Sequence, residues 1–234
     1  MARSPLPPPE LSAAGPSDRA LQVQILATEH WSLLASRSTT QSEVLTRIAM
    51  FLTFVSASLL SLALVGNATG FGEAFPMFAI AVLAVALLVG FLTQIRVYNV
   101  AVEDLMYVVA MNRLRGAYAS LVPGVEKWFM SSPHDDRAGG ERTYFFFRPE
   151  RGASVVLGSS MVFIVVVNAT LGGLLAATIV AFTTGSFVWA AIVGLVVAVA
   201  YFVVSNMNGY ALYRRVWRHH EPLSPTPAEP GSAG

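Results

Sequence analysis

Three long stretches of this chain contain no Asp, Glu, Lys or Arg: residues 48–72, 74–95 and 152–213. Leu, Val, Ala, Ile and Phe dominate each of them. A bilayer hydrocarbon core about 30 Å thick requires about 20 apolar residues of helix. The first two stretches are therefore each predicted to hold one membrane span, and the third is long enough for two.

The composition agrees with this reading, because 54% of the residues are hydrophobic and only 12% are charged, which is far more apolar than a soluble domain. We expect an all-α membrane protein with four transmembrane helices in two hairpins plus cytoplasmic helical extensions. The membrane domain is predicted over residues 41–213. Its spans are placed at about residues 48–66, 76–96, 155–181 and 187–210.

The segments outside the membrane domain differ in character. Residues 1–16 and 222–234 are rich in Pro, Ser, Ala and Gly and are predicted to be disordered, because they cannot bury enough apolar surface to fold. Residues 17–38 place apolar and polar side chains at roughly helical spacing, which predicts a cytoplasmic amphipathic helix. Thr40 and Glu43 then have capping-box spacing, so a separate second helix is predicted to begin there.

The second span has no stop signal at the membrane surface. Its helical pattern continues from Pro76 to Gly116 or Pro123, over about 40 residues, so about half of this helix is predicted to project into water. The cytoplasmic region 97–151 therefore begins as helix. A polar loop is predicted over residues 131–142, and an aromatic and basic segment that lies at the membrane interface is expected to follow it.

Lys and Arg lie on one side of this topology. Residues 96–151 carry eight of them, whereas the predicted outer loops at 67–75 and 183–186 carry none. The segment after the last span carries three more: Arg214, Arg215 and Arg218. The positive-inside rule therefore places both termini on the cytoplasmic side of the plasma (inner) membrane. We expect the three arginines to contact anionic lipid headgroups.

The sequence offers few groups for catalysis, and we predict no enzymatic activity, no cofactor and no metal. Cysteine is absent, and 15 basic against 14 acidic residues give no strongly basic surface for nucleic acid. The predicted spans contain no ionisable residue, which disfavours ion-coupled transport. His134, Asp135 and Asp136 are consecutive in a Gly- and Pro-flanked segment and are interpreted as a solvated loop rather than as metal ligands.

Four polar residues in or beside the spans are candidate pore or packing residues. Thr53, Ser56 and Asn67 share one face of the first span with Thr46. Asn168 is the most polar residue deep in the third span. Each could line a pore or hydrogen-bond across a helix interface, and for each of them we favour packing.

Small residues recur at four-residue spacing in three spans and let another helix approach closely. They are Ala86 and Gly90, Gly172 and Ala176, Gly173 and Ala177, and Ala190, Gly194 and Ala198. Four spans use only some of these faces internally, so we expect a homo-oligomer.

The segment from Leu21 to Ser38, LQVQILATEHWSLLASRS, leads into Glu43 and the first span. It resembles the start of multi-span membrane proteins of actinobacteria for which no activity is established, and the resemblance covers about the first third of the chain. The layout of a cytoplasmic helix, two spans and a long projecting helix is similar to the two-span SLATT effectors, which are proposed to form membrane pores. This second likeness is architectural, and residues 152–213 depart from that pattern.

Three functions are therefore considered. A homo-oligomeric pore or channel would use the polar face of the first span or Asn168 as its lining and the cytoplasmic helices as a collar. A non-conducting membrane scaffold or accessory subunit would use the same collar to bind a cytoplasmic protein partner. An enzyme comes third, because the chain lacks an evident nucleophile, metal set or acid–base pair. We favour the channel.

Overall fold

A computed structural model describes residues 15–145 and 158–227. This part of the chain contains five α-helices and no strand. They are α1 (Pro16–Thr69), α2 (Phe75–Leu121), α3 (Arg137–Tyr144), α4 (Ser160–Thr184) and α5 (Phe187–His219), with a short 3₁₀ helix at Val125–Trp128. All except α3 are long and apolar enough to cross a membrane. The predicted all-α class with four such helices is confirmed.

Helix α1 is one continuous helix of 54 residues, whereas the sequence predicted two. Thr40 and Glu43 do not cap a new helix start, because no Gly or Pro interrupts residues 17–65 and the Glu43 carboxylate has other partners. It accepts hydrogen bonds from Arg47 and from Arg96 of α2, both at 2.8 Å. The helix ends where Gly70 takes a left-handed conformation with φ of 60°.

Helix α2 extends well beyond the predicted span and ends at Leu121, two residues before Pro123, as the unbroken pattern suggested. The predicted polar loop at 131–142 is wrong in part, because α3 begins inside it. Asp136 caps α3 by accepting a hydrogen bond from the Gly139 amide at 2.8 Å. A single Asp N-cap in a Gly-rich segment is a weak signal, which is why the sequence did not reveal this helix.

The turn between α4 and α5 matches its prediction. Helix α4 ends at Thr184, and Gly185 has a φ of 68°, a left-handed conformation that glycine adopts without steric penalty. Helix α5 starts at Phe187 and continues to His219, nine residues beyond the predicted span. The predicted start of the third span at residue 155 and most of the aromatic and basic segment lie outside the described residues.

The chain divides into two compact units. The first, here called the polar unit, comprises Met1–Ser38, Asp104–Glu150 and His219–Gly234, and the second, the apolar unit, comprises Thr39–Glu103 and Arg151–Arg218. Buried side chains from α1, α2 and α4 form the core of the apolar unit: Val44, Ile48, Phe51, Leu83, Ala86, Val97, Val100, Ile164, Val165 and Leu171. Buried residues of the polar unit include Val108, Met111, Asn112, Leu121 and Asp135.

Small residues bring α4 and α5 close together in the apolar unit, as their spacing predicted. A Cβ added to Gly173 would lie 2.7 Å from the Gly194 carbonyl oxygen and 2.9 Å from the Ala198 Cβ. In the same way, a Cβ on Gly194 would lie 2.9 Å from the Ala177 Cβ. Both glycines are therefore required by the close approach of the two backbones.

Candidate functional site

Thr53, Ser56 and Asn67 lie on one exposed face of α1. Successive residues of an α-helix are about 100° apart, so Thr53 points roughly opposite to the buried Phe51 and Ile48. Thr53 Oγ1 donates to the Ala49 carbonyl at 3.0 Å, and Asn67 Nδ2 donates to the Ala63 carbonyl at 2.8 Å. The core of the apolar unit therefore leaves this polar face uncovered.

The polar groups of this face are hydroxyls and an amide, and the exposed Leu60 lies between them, seven residues from both Thr53 and Asn67. Thr46 lies two helical turns before Thr53 on the same face and is also exposed. Its hydroxyl donates to the Ser42 carbonyl at 2.9 Å. These bonds to carbonyls of the same helix engage the Thr46 and Thr53 hydroxyls and the Asn67 amide, while their acceptor lone pairs stay available to water or to a neighbouring helix. We name Thr46, Thr53, Ser56 and Asn67 the outer polar face of α1.

Asn168 lies elsewhere, fully buried in the apolar unit. Its Nδ2 donates to Oε1 of Gln94 at 2.8 Å, and the Tyr201 hydroxyl donates to the same oxygen at 2.9 Å. Gln94 Nε2 donates to the Tyr98 hydroxyl at 3.0 Å, and that hydroxyl donates to the Ser205 carbonyl at 2.8 Å. Gln94 therefore joins α2 to both α4 and α5.

Gly90 provides the space for this polar cluster. A Cβ at Gly90 would overlap the Asn168 side-chain oxygen and would lie 2.7 Å from the ring of Phe51. The Asn168 Oδ1 atom is itself buried and lies against Gly90. In this arrangement the Asn168 side chain lies in a helix interface, separate from the outer polar face.

A cavity of about 400 Å³ lies between α1 and α2 in the apolar unit. Its walls are mostly apolar: Phe54, Ala57, Ser58, Ser61, Phe78, Ala81, Val82 and Val85. The Ser58 and Ser61 hydroxyls donate to carbonyls of their own helix, at 2.8 Å each. None of the predicted site residues lines this cavity.

The predicted lipid-contacting arginines Arg214, Arg215 and Arg218 are exposed near the end of α5. The Arg214 guanidinium lies 5.2 Å from the centre of the Tyr210 ring, which is cation–π distance. Adjacent arginines on the last turns of a helix can also interact favourably with its carbonyl end. The three side chains are therefore placed where an anionic group in solvent can reach them.

Asp135 is the main residue that sequence reasoning misread. Instead of lying in a solvated loop, it is fully buried in the polar unit. Its carboxylate accepts hydrogen bonds from Arg113 Nε at 2.7 Å and from the amides of Ser224 and Leu223 at 2.8 and 3.1 Å. Burial raises the pKa of Asp135, but these donors outweigh burial, so the pKa lies below its ordinary value.

Asp136 binds the same C-terminal segment at Thr226, two residues after Ser224. The Thr226 amide and hydroxyl both donate to its carboxylate at 2.8 Å, and the His220 ring nitrogen lies 2.6 Å from the Asp135 carbonyl oxygen. Residues 222–234 were predicted to be disordered, whereas the structure holds Leu223, Ser224 and Thr226 by hydrogen bonds to the two aspartates. Residues 228–234 lie outside the described residues. We call residues 220–226 with Asp135 and Asp136 the aspartate clasp.

No local signal in the sequence reveals the clasp or the Gln94 cluster. In both, the partners come from distant segments, and the residue types are common on protein surfaces. Within residues 15–145 and 158–227, no group of three or more His, Cys, Asp or Glu side chains is placed to hold a metal ion. The clasp holds the C-terminal segment through the hydrogen bonds of Asp135 and Asp136 and includes the ion pair between Asp135 and Arg113.

Over residues 15–145 and 158–227 the fold is all-helical, and four of its helices have the length and apolar character typical of a multi-pass membrane protein. No family model, no curated protein and no solved structure matches the chain.

Proposed function

We propose that the protein is a homo-oligomeric channel of the plasma (inner) membrane, lined by the outer polar face of α1. One observation carries this proposal: Thr53, Ser56 and Asn67 are exposed on the side of α1 that points away from the core of its unit. Several copies arranged around an axis would bring these hydroxyl and amide groups together. Such a lining conducts with weak charge selectivity.

The absence of charge from the apolar helices supports a passive pathway. Residues 48–72, 74–95 and 158–213 contain no ionisable Asp, Glu, Lys or Arg, whereas pumps and ion-coupled transporters rely on such residues at membrane depth. Asn168 is assigned to packing and not to the lining, because its amide donates to Gln94 in the interior of the unit.

The polar unit is proposed to act as a cytoplasmic collar. Its part of α1 exposes Leu21, Ile25 and Trp31, with 57, 59 and 71% of each side chain accessible. Burying such side chains against a second copy of the chain would stabilise an assembly by about 1.5–3 kcal/mol for each residue fully covered. The arginines after the last span are proposed to contact anionic headgroups.

Planar-bilayer recording of the reconstituted protein tests the channel. We expect discrete, voltage-insensitive currents, which Thr53→Leu and Ser56→Leu reduce without preventing assembly. Thr170→Leu is the matched control, because Thr170 is also exposed and also donates to its own helix, at 2.9 Å to the Val166 carbonyl. Silent bilayers from assembled protein, across a range of voltages and salts, would exclude the channel.

A non-conducting scaffold or accessory subunit is the second candidate. Val122, Trp128 and Met130 lie within nine residues of chain and are 49, 76 and 56% exposed, which favours a protein partner at this segment. The two functions differ in their sensitivity to substitution. Trp128→Ala would abolish capture of the scaffold's partner, whereas it would leave a channel's unitary conductance unchanged.

A further inference from the structure

Arg115 of α2 differs from the other half-buried arginines of the polar unit, because it has no carboxylate partner. Arg37 pairs with Asp104 through two hydrogen bonds of 2.6 and 3.2 Å, and Arg113 pairs with Asp135 at 2.7 Å. Among the described residues, no carboxylate lies within ion-pair distance of Arg115. Its one hydrogen bond goes to the neutral oxygen of Asn112, at 2.8 Å.

Asn112 holds Arg115 in a fixed position. It is fully buried, and its Nδ2 donates to the His134 carbonyl while its Oδ1 also accepts from the Thr143 hydroxyl, both at 2.9 Å. A guanidinium carries five N–H donors in a planar fork. One edge of Arg115 is therefore fixed by a rigid neutral acceptor, and the remaining donors are available to another group.

The charged neighbours of Arg115 leave its positive charge unbalanced. Burial lowers the pKa of Arg115; among its neighbours, the Tyr118 hydroxyl raises that pKa and Arg37, which is itself paired with Asp104, lowers it to a smaller extent. Burial also lowers the pKa of His30, and Arg115 adds to that effect. The one carboxylate on this face of α2, Asp104, is engaged with Arg37 and with the Tyr144 hydroxyl at 2.6 Å.

Two aromatic rings border the same place. The rings of His30 and Tyr118 are stacked with centroids 6.1 Å apart and an angle of 16° between their planes, and Tyr118 lies three residues after Arg115, so the two side chains share one face of α2. A half-buried cation without a counter-charge is unfavourable in the absence of an anion. A phosphate-type oxyanion matches the guanidinium fork and would supply that charge.

We propose that Arg115, flanked by His30 and Tyr118 and anchored by Asn112, binds a phosphate-type oxyanion. The site is separate from the proposed pore lining, because all four residues belong to the polar unit, whereas the outer polar face of α1 belongs to the apolar unit. The shared chemistry is a tetrahedral oxyanion with two or more oxygens free to accept from one guanidinium. It is carried both by free phosphate compounds and by phospholipid headgroups.

Titration calorimetry on the full-length protein in neutral detergent tests the site, with inorganic phosphate as the probe and chloride holding the ionic strength constant. We expect Arg115→Gln to weaken binding by about tenfold or more, as the loss of a charge-assisted contact implies. The control is Arg142→Gln, which removes an exposed arginine of the same unit and should change affinity by less than about twofold. Equal affinity for both variants and the native protein would overturn the proposal.

A second arm identifies the source of the oxyanion. The reference is the protein in a phosphate-free maltoside detergent without lipid. If a lipid headgroup is the ligand, adding phosphatidylglycerol to the detergent should raise the melting temperature, and Arg115→Gln should remove that increase while Arg142→Gln retains it. If free phosphate is the ligand, the Arg115-dependent increase should appear with phosphate in the same detergent and not with the lipid. Absence of an Arg115-dependent increase in both arms would contradict the site.

A spectroscopic readout keeps the test valid if Arg115→Gln folds poorly. In the native protein, bound sulfate, whose charge is constant near neutrality, should raise the pKa of the His30 imidazole measured by proton NMR, because a nearby negative charge favours the protonated ring. His30→Gln assigns the resonance among the four histidines. A His30 titration that sulfate leaves unchanged would overturn the proposal.

Discussion

The Asn168 side-chain amide donates a hydrogen bond to Gln94 at 2.8 Å, joining two helices across 74 residues of sequence. Gln94 also accepts from Tyr201 and donates to Tyr98, so one amide group connects α2, α4 and α5. In a membrane interior, such a polar cluster favours one arrangement of the helices, because an unpaired amide has no water to replace a lost partner.

Substitutions at Gln94 and Asn168 should differ in severity. Asn168→Leu keeps a side chain of similar shape and is expected to lower stability by about 1 kcal/mol, leaving any conductance unchanged. Gln94→Leu removes the partner of three groups and should lower stability by about 1–3 kcal/mol. Thermal unfolding in detergent measures both effects. A double variant whose loss equals the sum of the two would show that the residues are not coupled.

Neighbouring glycines on α4 provide a matched pair. Gly173→Ala should destabilise the protein by about 1–3 kcal/mol, because the added Cβ would lie too close to Gly194 and Ala198. At Gly172 the added Cβ would meet Leu87 at 3.9 Å, an ordinary contact. Gly172→Ala should therefore be neutral or stabilising by up to about 1 kcal/mol, as helix propensity favours alanine. Equal melting temperatures for the two variants would contradict this packing.

The aspartate clasp should depend on Asp135. Asp135→Asn removes the charge that Arg113 and two backbone amides share, and we expect a loss of about 1.5–3 kcal/mol. The C-terminal segment should then become susceptible to limited proteolysis. Glu126→Gln, which alters an exposed carboxylate of the same unit, is the control. Continued protection of residues 220–227 in Asp135→Asn would show that other contacts hold the segment.

The clasp should also open in acid. The pKa of Asp135 and that of Asp136 are lower in the folded protein than their ordinary value near 3.9. The unfolded chain therefore binds more protons, so the stabilisation is fully present above that value and is lost as the pH falls through the lower, folded values. Proteolysis of the C-terminal segment with an acid-active protease should increase below about pH 4. The same increase in Asp135→Asn would argue against Asp135 as the titrating group.

The proposed orientation can be tested with single cysteines, because the chain has none of its own. Cysteines at Ala68 and Thr184 should react with an impermeant thiol reagent in intact cells, whereas cysteines at Ser32 and Ala138 should react only after permeabilisation. All four positions are exposed in the structure, so protection reports the membrane and not burial. Labelling of Ala138→Cys in sealed cells would reverse the orientation.

The sequence by itself determined the helices that are apolar enough to cross a membrane. Their ends follow from local chemistry: Gly70 and Gly185 adopt left-handed conformations, and Pro123 lies just beyond the end of α2. The four-residue spacing of small residues such as Gly173 also predicted a close helix contact. Length, apolar character and backbone preference act within a few residues of chain, so a linear pattern is sufficient to read them.

Only the tertiary structure decided which polar groups have partners. Glu43 was expected to cap a helix but pairs with Arg96, 53 residues away, and Asp135 was expected in solvent but is buried against Arg113 and Ser224. A carboxylate has the same chemistry in solvent and in the protein interior. Whether it is buried depends on the hydrogen-bond donors that the packing of distant segments brings near it. The free energy of a buried amide or carboxylate depends on that surrounding, which is created only when the chain folds.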